Sequence, residues 1–256
     1  MRYFVYLSYD GTNYHGWQRQ PNATSVQEQM EYVLQTVLRR KVNLVAAGRT
    51  DTGVHARLMV AHFDVEEPVD CQQLTFKFNC LLPPDIGVYT IVPVTDDAHA
   101  RFSATSRTYH YHLYQRKDPF RRPYACRYYY ELDFPRMNEA AARLMQHTDF
   151  GSFCKAGSDN KTNTCHLTHA RWVEEDLQAW RFEITADRFL RNMVRAVVGT
   201  LLEVGKHRLT LEGLEDVVRA GNRSASGESM PACGLFLQDI TYPDHLFIEG
   251  KAPNIF

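Results

Sequence analysis

The stretch VNLVAAGRTDTGVHARLMVAHFDV, Val42 to Val65, decides how the first part of this chain folds. Its ends are apolar and its centre is not. Val42 to Ala47, interrupted by Asn43, and Met59 to Val65 carry the branched and aromatic residues that suit a pleated strand. Between them lies Ala47-Gly-Arg-Thr-Asp-Thr-Gly-Val-His-Ala56, where Gly48 and Gly53 bracket an arginine, two threonines and one carboxylate. Glycine punctuates a strand pattern, so the reading is strand, loop, strand, with Arg49 and Asp51 on the loop.

Upstream, Arg2 to Tyr9 alternates as a strand, and Asp10 to Thr24 is a polar, turn-rich loop. Ser25 followed by Glu28 has the spacing of a capping box, and Val26, Met30, Val33, Leu34, Val37 and Leu38 recur at helical spacing behind it. Downstream, Cys71 to Asn79 reads as a second helix and Ile86 to Val92 as a strand. The order β-α-β-β-α-β is that of a split βαβ, ferredoxin-like domain.

The remainder repeats the rhythm without repeating the sequence. Tyr109 to Tyr114 is a strand and Met137 to Gln146 a helix. His169 to Val173 and Ala179 to Thr185 form a hairpin across Glu174-Glu-Asp-Leu177. Phe189 to Val204 is a long helix, Leu211 to Arg219 a shorter one, and Leu235 to Ile240 a closing strand. The expectation is an α+β protein of two domains, 1–104 with the Asp51 loop and 105–256, each with an antiparallel sheet flanked by helices.

The chain has 256 residues, 44% of them hydrophobic, and a formal net charge of −1. That length supports a substantial core, and charge alone marks no polyanion binder. The opening MRYFVYLSYDG reads as a strand rather than a signal peptide. The best apolar run, MVRAVVGTLLEVG, is broken by Arg195 and falls short of the ~18 residues of a membrane span. The six cysteines make no CxxC pair, which suits reduced thiols rather than a zinc site. These features predict a cytoplasmic protein, with no membrane partner and no metal.

Neutrality hides local bias. From Arg101 to Tyr130, seven basic residues stand against one acid, Asp118, and are interleaved with nine aromatic residues. Guanidinium groups and planar rings suit phosphates and unstacked bases. The plainer alternative is a half-buried sheet of tyrosines with a solvated basic rim. On a helix, Arg191 and Arg195 share a face among apolar neighbours, so at least one is partly buried and needs a carboxylate.

Asp51 is a candidate for that partner. A free aspartate is ionised near pH 7, so it serves as nucleophile, base or ligand rather than as an acid. The Asp51–His55 spacing would suit a metal only on a helix, and Gly53 opposes one. Alternatively Thr50, Asp51 and Thr52 simply tie the loop backbone.

The loop Gly48-Arg-Thr-Asp-Thr-Gly-Val-His-Ala56 resembles the signature of the tRNA pseudouridine synthase A family. Further matching pieces follow in order: Tyr9-Asp-Gly-Thr-Asn-Tyr-His-Gly-Trp-Gln-Arg-Gln20, Ala100-Arg-Phe-Ser-Ala-Thr-Ser-Arg-Thr-Tyr-His-Tyr111, Phe189-Leu-Arg-Asn-Met-Val-Arg-Ala-Val-Val-Gly-Thr-Leu201 and Gly234-Leu-Phe-Leu237. The resemblance spans nearly the whole chain. It implies two ferredoxin-like halves with the active-site cleft between them, and isomerisation of uridine to pseudouridine at positions 38, 39 and 40 of the tRNA anticodon stem-loop, by a homodimer without cofactor. It implies Asp51 as the nucleophile, Arg195 as its charge partner and Tyr109 against the flipped base. Leu235 would be an apolar wall, Arg49 would help extrude the uridine, and Arg107 would join the substrate contacts. One departure stands out: an arginine is expected near Cys165 in Thr164-Cys-His-Leu167.

Two rival readings remain on the residues alone. One is a non-catalytic RNA-binding module, since aromatic-bearing ferredoxin-like sheets bind single strands. The other is an aspartate-dependent hydrolase or phosphotransferase, which the scarcity of carboxylates around the loop disfavours.

Overall fold

Strand β1 (Arg2–Tyr9) organises the first part of the chain. It is almost wholly buried, as its run of aromatic and branched residues requires. The computed structural model describes every residue except Asp159, Leu177 and Phe256. Two units emerge: Met1–Ser106 together with the segment from Phe236 onward, and Arg107–Leu235. The structure is α+β.

In the first unit β1 is followed by α1 (Val26–Leu38), β2 (Val45–Ala46), β3 (His55–Asp64), α2 (Cys71–Leu81) and β4 (Ile86–Val94). Strand β1 lies between β3 and β4, antiparallel to both, with Val5 opposite Ala61 and Ile91. The short β2 pairs with the far end of β3, Val45 opposite His62. Helix α1 starts where the sequence places it: the Ser25 side chain accepts the Glu28 N–H and caps the first turn. Asp70 does the same for α2 through Gln73. Met30, Val33 and Leu34 of α1 and Leu74 and Phe78 of α2 are buried. Phe4 of β1 packs on Tyr242 and Phe247 of the C-terminal segment, ring centroids 5.0 and 6.2 Å apart.

The closing strand β9 (Leu235–Thr241) runs parallel to β3, with His55 opposite Phe236 and Ala56 opposite Leu237. The sheet of the first unit is therefore mixed, where antiparallel pairing was expected. A strand whose partner lies some 180 positions away leaves no local mark of its direction.

The second unit carries β5 (Ser106–Tyr114), β6 (Cys126–Arg127), α3 (Phe134–Leu144), β7 (Leu167–Asp176), β8 (Ala179–Ala186), α4 (Met193–Gly205) and α5 (Leu211–Arg219). Strand β8 lies between β5 and β7, antiparallel to both, while β6 pairs in parallel with β5. Leu177, at the end of the turn expected between β7 and β8, lies outside the described residues. Asp133 and Thr210 cap α3 and α5. Helix α4 is buried along most of its length, and only a glycine at 199 lets the Glu228 backbone lie against it. Among the described residues no helix is long and apolar enough to cross a membrane.

The expected helix from Phe189 is corrected. Asn192 takes a left-handed conformation, φ 65°, and α4 begins only at Met193. Asparagine tolerates that region better than most residues, so an apolar run with helical spacing conceals a break. Arg191 therefore lies before the helix and is exposed, while Arg195 lies in its first turn and is half-buried.

Candidate active site

Asp51 sits in the connection between β2 and β3, where hydrogen bonds to the backbone fix every turn. Ala47 N–H donates to Val60, Trp17 N–H to the Thr50 carbonyl at 3.2 Å, Val54 N–H to the Asp51 carbonyl at 3.1 Å, and Gly53 N–H to Tyr14. Gly53 has φ 75°, which an L side chain adopts only with strain. Two of these bonds come from the loop between β1 and α1, which lies directly against the Asp51 loop.

Glycine makes that contact possible. A Cβ on Gly16 would stand 2.3 Å from the Thr50 carbonyl oxygen, and one on Gly11 would stand 2.0 Å from the Val54 carbonyl oxygen. Gly16 also has φ 85°. By contrast, a Cβ on Gly48 would meet nothing within 4 Å. The polar loop Asp10–Thr24 is thus a clamp. It is anchored in turn by Tyr14 Oη donating to Asp85 and by Gln27 N–H donating to the Trp17 carbonyl.

The side chains continue the pattern. Thr50 is buried, its hydroxyl 2.9 Å from Tyr9 Oη. His55 is buried; its Nδ1 accepts the Gly11 N–H at 3.1 Å and lies 3.0 Å from Asp10 Oδ1, while its ring stacks on Phe236 at 4.5 Å. Asp51 is half-buried, and Arg49 is exposed and itself makes no ion pair among the described residues. The arrangement presents one carboxylate and one guanidinium on a loop whose neighbours are held on both sides.

The second unit supplies the other expected residues. Tyr109 lies on β5, opposite Ile184 of β8, half-buried with Phe189 edge-on to its ring at 5.1 Å. Tyr111 and Tyr114 on the same strand are core residues instead. Tyr111 Oη donates to the Pro231 carbonyl, and burial pushes its phenol well above the usual range. Arg107 donates from Nη1 to the Asp187 carbonyl at 2.6 Å. Arg195 is joined to Met230 twice, by Nε donating to the Met230 carbonyl and by Met230 N–H donating to the Arg195 carbonyl. Leu235 is buried at the start of β9, preceded by Gly234, where a Cβ would stand 2.8 Å from the His112 carbonyl oxygen.

The sequence pattern of the tRNA pseudouridine synthase family matches residues 6–103 and 140–243. The chain belongs to that family. It is 55% identical over 256 residues to the tRNA pseudouridine synthase A of Bacteroides thetaiotaomicron, covering 99% of this chain and 95% of the relative. It is 54% identical over 247 residues to that of Parabacteroides distasonis, covering 96% and 98%. A more distant relative in Thermoanaerobacter sp. is 38% identical over 240 residues, covering 93% and 98%. As a tRNA pseudouridine synthase the protein is an isomerase.

Sequence reasoning missed the synthase's clamp. Gly11 and Gly16 form no phosphate-binding fingerprint, and close approach to Thr50 and Val54 has no local signature. The tie between Arg195 and Met230 was equally hidden, since 35 residues separate them. Cys165, where an arginine was expected nearby, is wholly enclosed, and burial pushes its thiol up to about 12. All six cysteines are unpaired.

Proposed function

We propose that this synthase isomerises uridine to pseudouridine at positions 38, 39 and 40 of the tRNA anticodon stem-loop, with Asp51 as the nucleophile. The observation that carries the reading is the clamped loop. A carboxylate on a loop whose backbone is held by hydrogen bonds and close glycine contacts has its attachment point positioned before substrate arrives, which lowers the entropic barrier to attack.

In the proposed reaction Asp51 attacks a flipped-out uridine, at the ribose anomeric carbon or at the base. The glycosidic bond to N1 breaks, the base turns, C5 bonds to the anomeric carbon, and the bond to Asp51 breaks to return its carboxylate. C5 then gives up its hydrogen as a proton while N1 regains one. Atoms and electrons balance without an oxidant or acceptor, so the reaction needs no cofactor. Arg195 would be the charge partner of Asp51, and its tie to Met230 fixes the guanidinium's stem. Tyr109 would lie against the base and Leu235 would wall it. Arg107 would contact the substrate, and exposed Arg49 would help extrude the uridine. Extrusion costs a few kcal/mol, which phosphate contacts and stacking offset. The reading carries with it the two ferredoxin-like halves, the cleft and the homodimer that the family resemblance implies.

The test is to incubate unmodified anticodon stem-loop transcripts with the enzyme and map pseudouridine by carbodiimide adducts and primer extension. Adducts at positions 38, 39 and 40 support the proposal, and adducts elsewhere contradict it.

A further inference from the structure

The segment between the two family-matched regions, residues 104–139, holds an exposed cluster that the proposed reaction does not use. From Arg116 to Tyr130 there are five basic residues and one acid, in a chain of formal net charge −1. Arg121 is engaged by Asp118 and Asp176. Arg116, Lys117 and Arg122 are exposed and in no ion pair among the described residues.

Beside these charges the aromatic rings are interleaved with cations. The Arg127 guanidinium lies 4.5 Å from the centre of the Tyr129 ring. Lys206 Nζ, whose other neighbour is Glu203, lies 5.9 Å from the Tyr128 ring and 5.7 Å from that of Tyr130, and Arg208 lies 5.8 Å from Tyr130. Tyr129 is nevertheless 75% exposed and Tyr130 56%. The backbone beneath them is fixed, with Tyr128 N–H donating to the Tyr114 carbonyl at 2.8 Å and Gln115 Nε2 to the Tyr130 carbonyl at 2.6 Å. Large rings left in water on a fixed backbone, each backed by a cation, are the pattern of a stacking platform.

We infer that this cluster at the end of β5 is a second RNA-docking surface, taking the phosphate backbone and an unpaired base of tRNA away from the reacting nucleotide. The inference rests on the proposed function, and its charge argues for RNA over a second copy of the chain. Along β5, Tyr114 lies five residues from Tyr109, about 17 Å at ~3.4 Å per residue. That separation is too great for the cluster and Tyr109 to hold the same base. Arg116, Lys117 and Arg122 would meet phosphates, and the open face of Tyr129 would receive the base.

The experiment titrates labelled, transcribed tRNA with wild type, Tyr129→Ala and the triple variant Arg116→Gln, Lys117→Gln, Arg122→Gln, at several salt concentrations. Single-turnover pseudouridine formation at saturating tRNA is measured beside it. Tyr129→Ala is expected to weaken binding about tenfold. The triple variant is expected to reduce the slope of log Kd against log salt by about two. Both should keep the wild-type single-turnover rate and melting temperature. Binding and salt slopes equal to wild type, in an enzyme that still makes pseudouridine, would overturn the inference. The same result with a shift from dimer to monomer would overturn it in favour of a second copy on this surface. A wild type that makes no pseudouridine would instead overturn the functional proposal beneath it.

Discussion

Gly16 passes so close to Thr50 that a Cβ there would stand 2.3 Å from the Thr50 carbonyl oxygen. Thr50 is the residue before Asp51, so this contact fixes where the carboxylate begins.

Gly16→Ala should therefore destabilise the protein by at least about 1–3 kcal/mol from its left-handed backbone alone, and the clash should add to that by pushing the Asp51 loop aside. Turnover should fall further than stability does. Gly48→Ala is the matched control: nothing lies within 4 Å of its Cβ position, and its effect should stay within about 0.5 kcal/mol. Urea denaturation of both variants, with activity measured alongside, checks the pair. Equal effects at the two glycines would remove the clamp from the account.

Arg195 supports two distinct expectations. Losing the Met230 tie in Arg195→Met should lower stability by about 1–2 kcal/mol. The single-turnover rate should fall by about a hundredfold or more if the guanidinium steadies Asp51. Calorimetric melting and rapid-quench kinetics separate the two. A stability loss with an unchanged rate would leave Arg195 a purely structural residue.

The stability of the folded chain should decline as pH falls from 6.5 to about 4. Burial holds the His62 imidazole down at about 4, and the same cause acts on His110. In the unfolded chain both take up protons near 6.5, so the unfolded state binds more protons throughout that window and stability drops with pH. Above 6.5 both are neutral in either state and their contribution is complete. His62 also accepts the Ala100 N–H through Nδ1. Chemical denaturation at stepped pH should give His62→Gln a shallower acid decline than wild type. Identical slopes would show that His62 does not govern it.

Much of this was legible in the sequence because it is local. Ser25 announces α1 three residues before Glu28 closes the bond, and the strand–loop–strand reading of Val42 to Val65 holds, although β2 shrinks to two residues. What was hidden is non-local or carried by a single dihedral. Asn192 breaks an apolar run that keeps helical spacing, and β9 takes its parallel direction from β3, far away in sequence. The aromatic segment divides for a similar reason. Tyr111 and Tyr114 face the core while Tyr129 and Tyr130 stand in water, a distinction set by the strand's pairing rather than by residue type.

The proposed reaction turns on Asp51 as the nucleophile. The most direct measurement is tritium release from transcribed tRNA labelled at uridine C5, comparing wild type with Asp51→Asn and checking tRNA binding by both. C5 loses its hydrogen only when it becomes the new glycosidic carbon. Wild type should release tritium, Asp51→Asn should release none, and both should bind tRNA similarly. Release by Asp51→Asn at the wild-type rate would contradict that role.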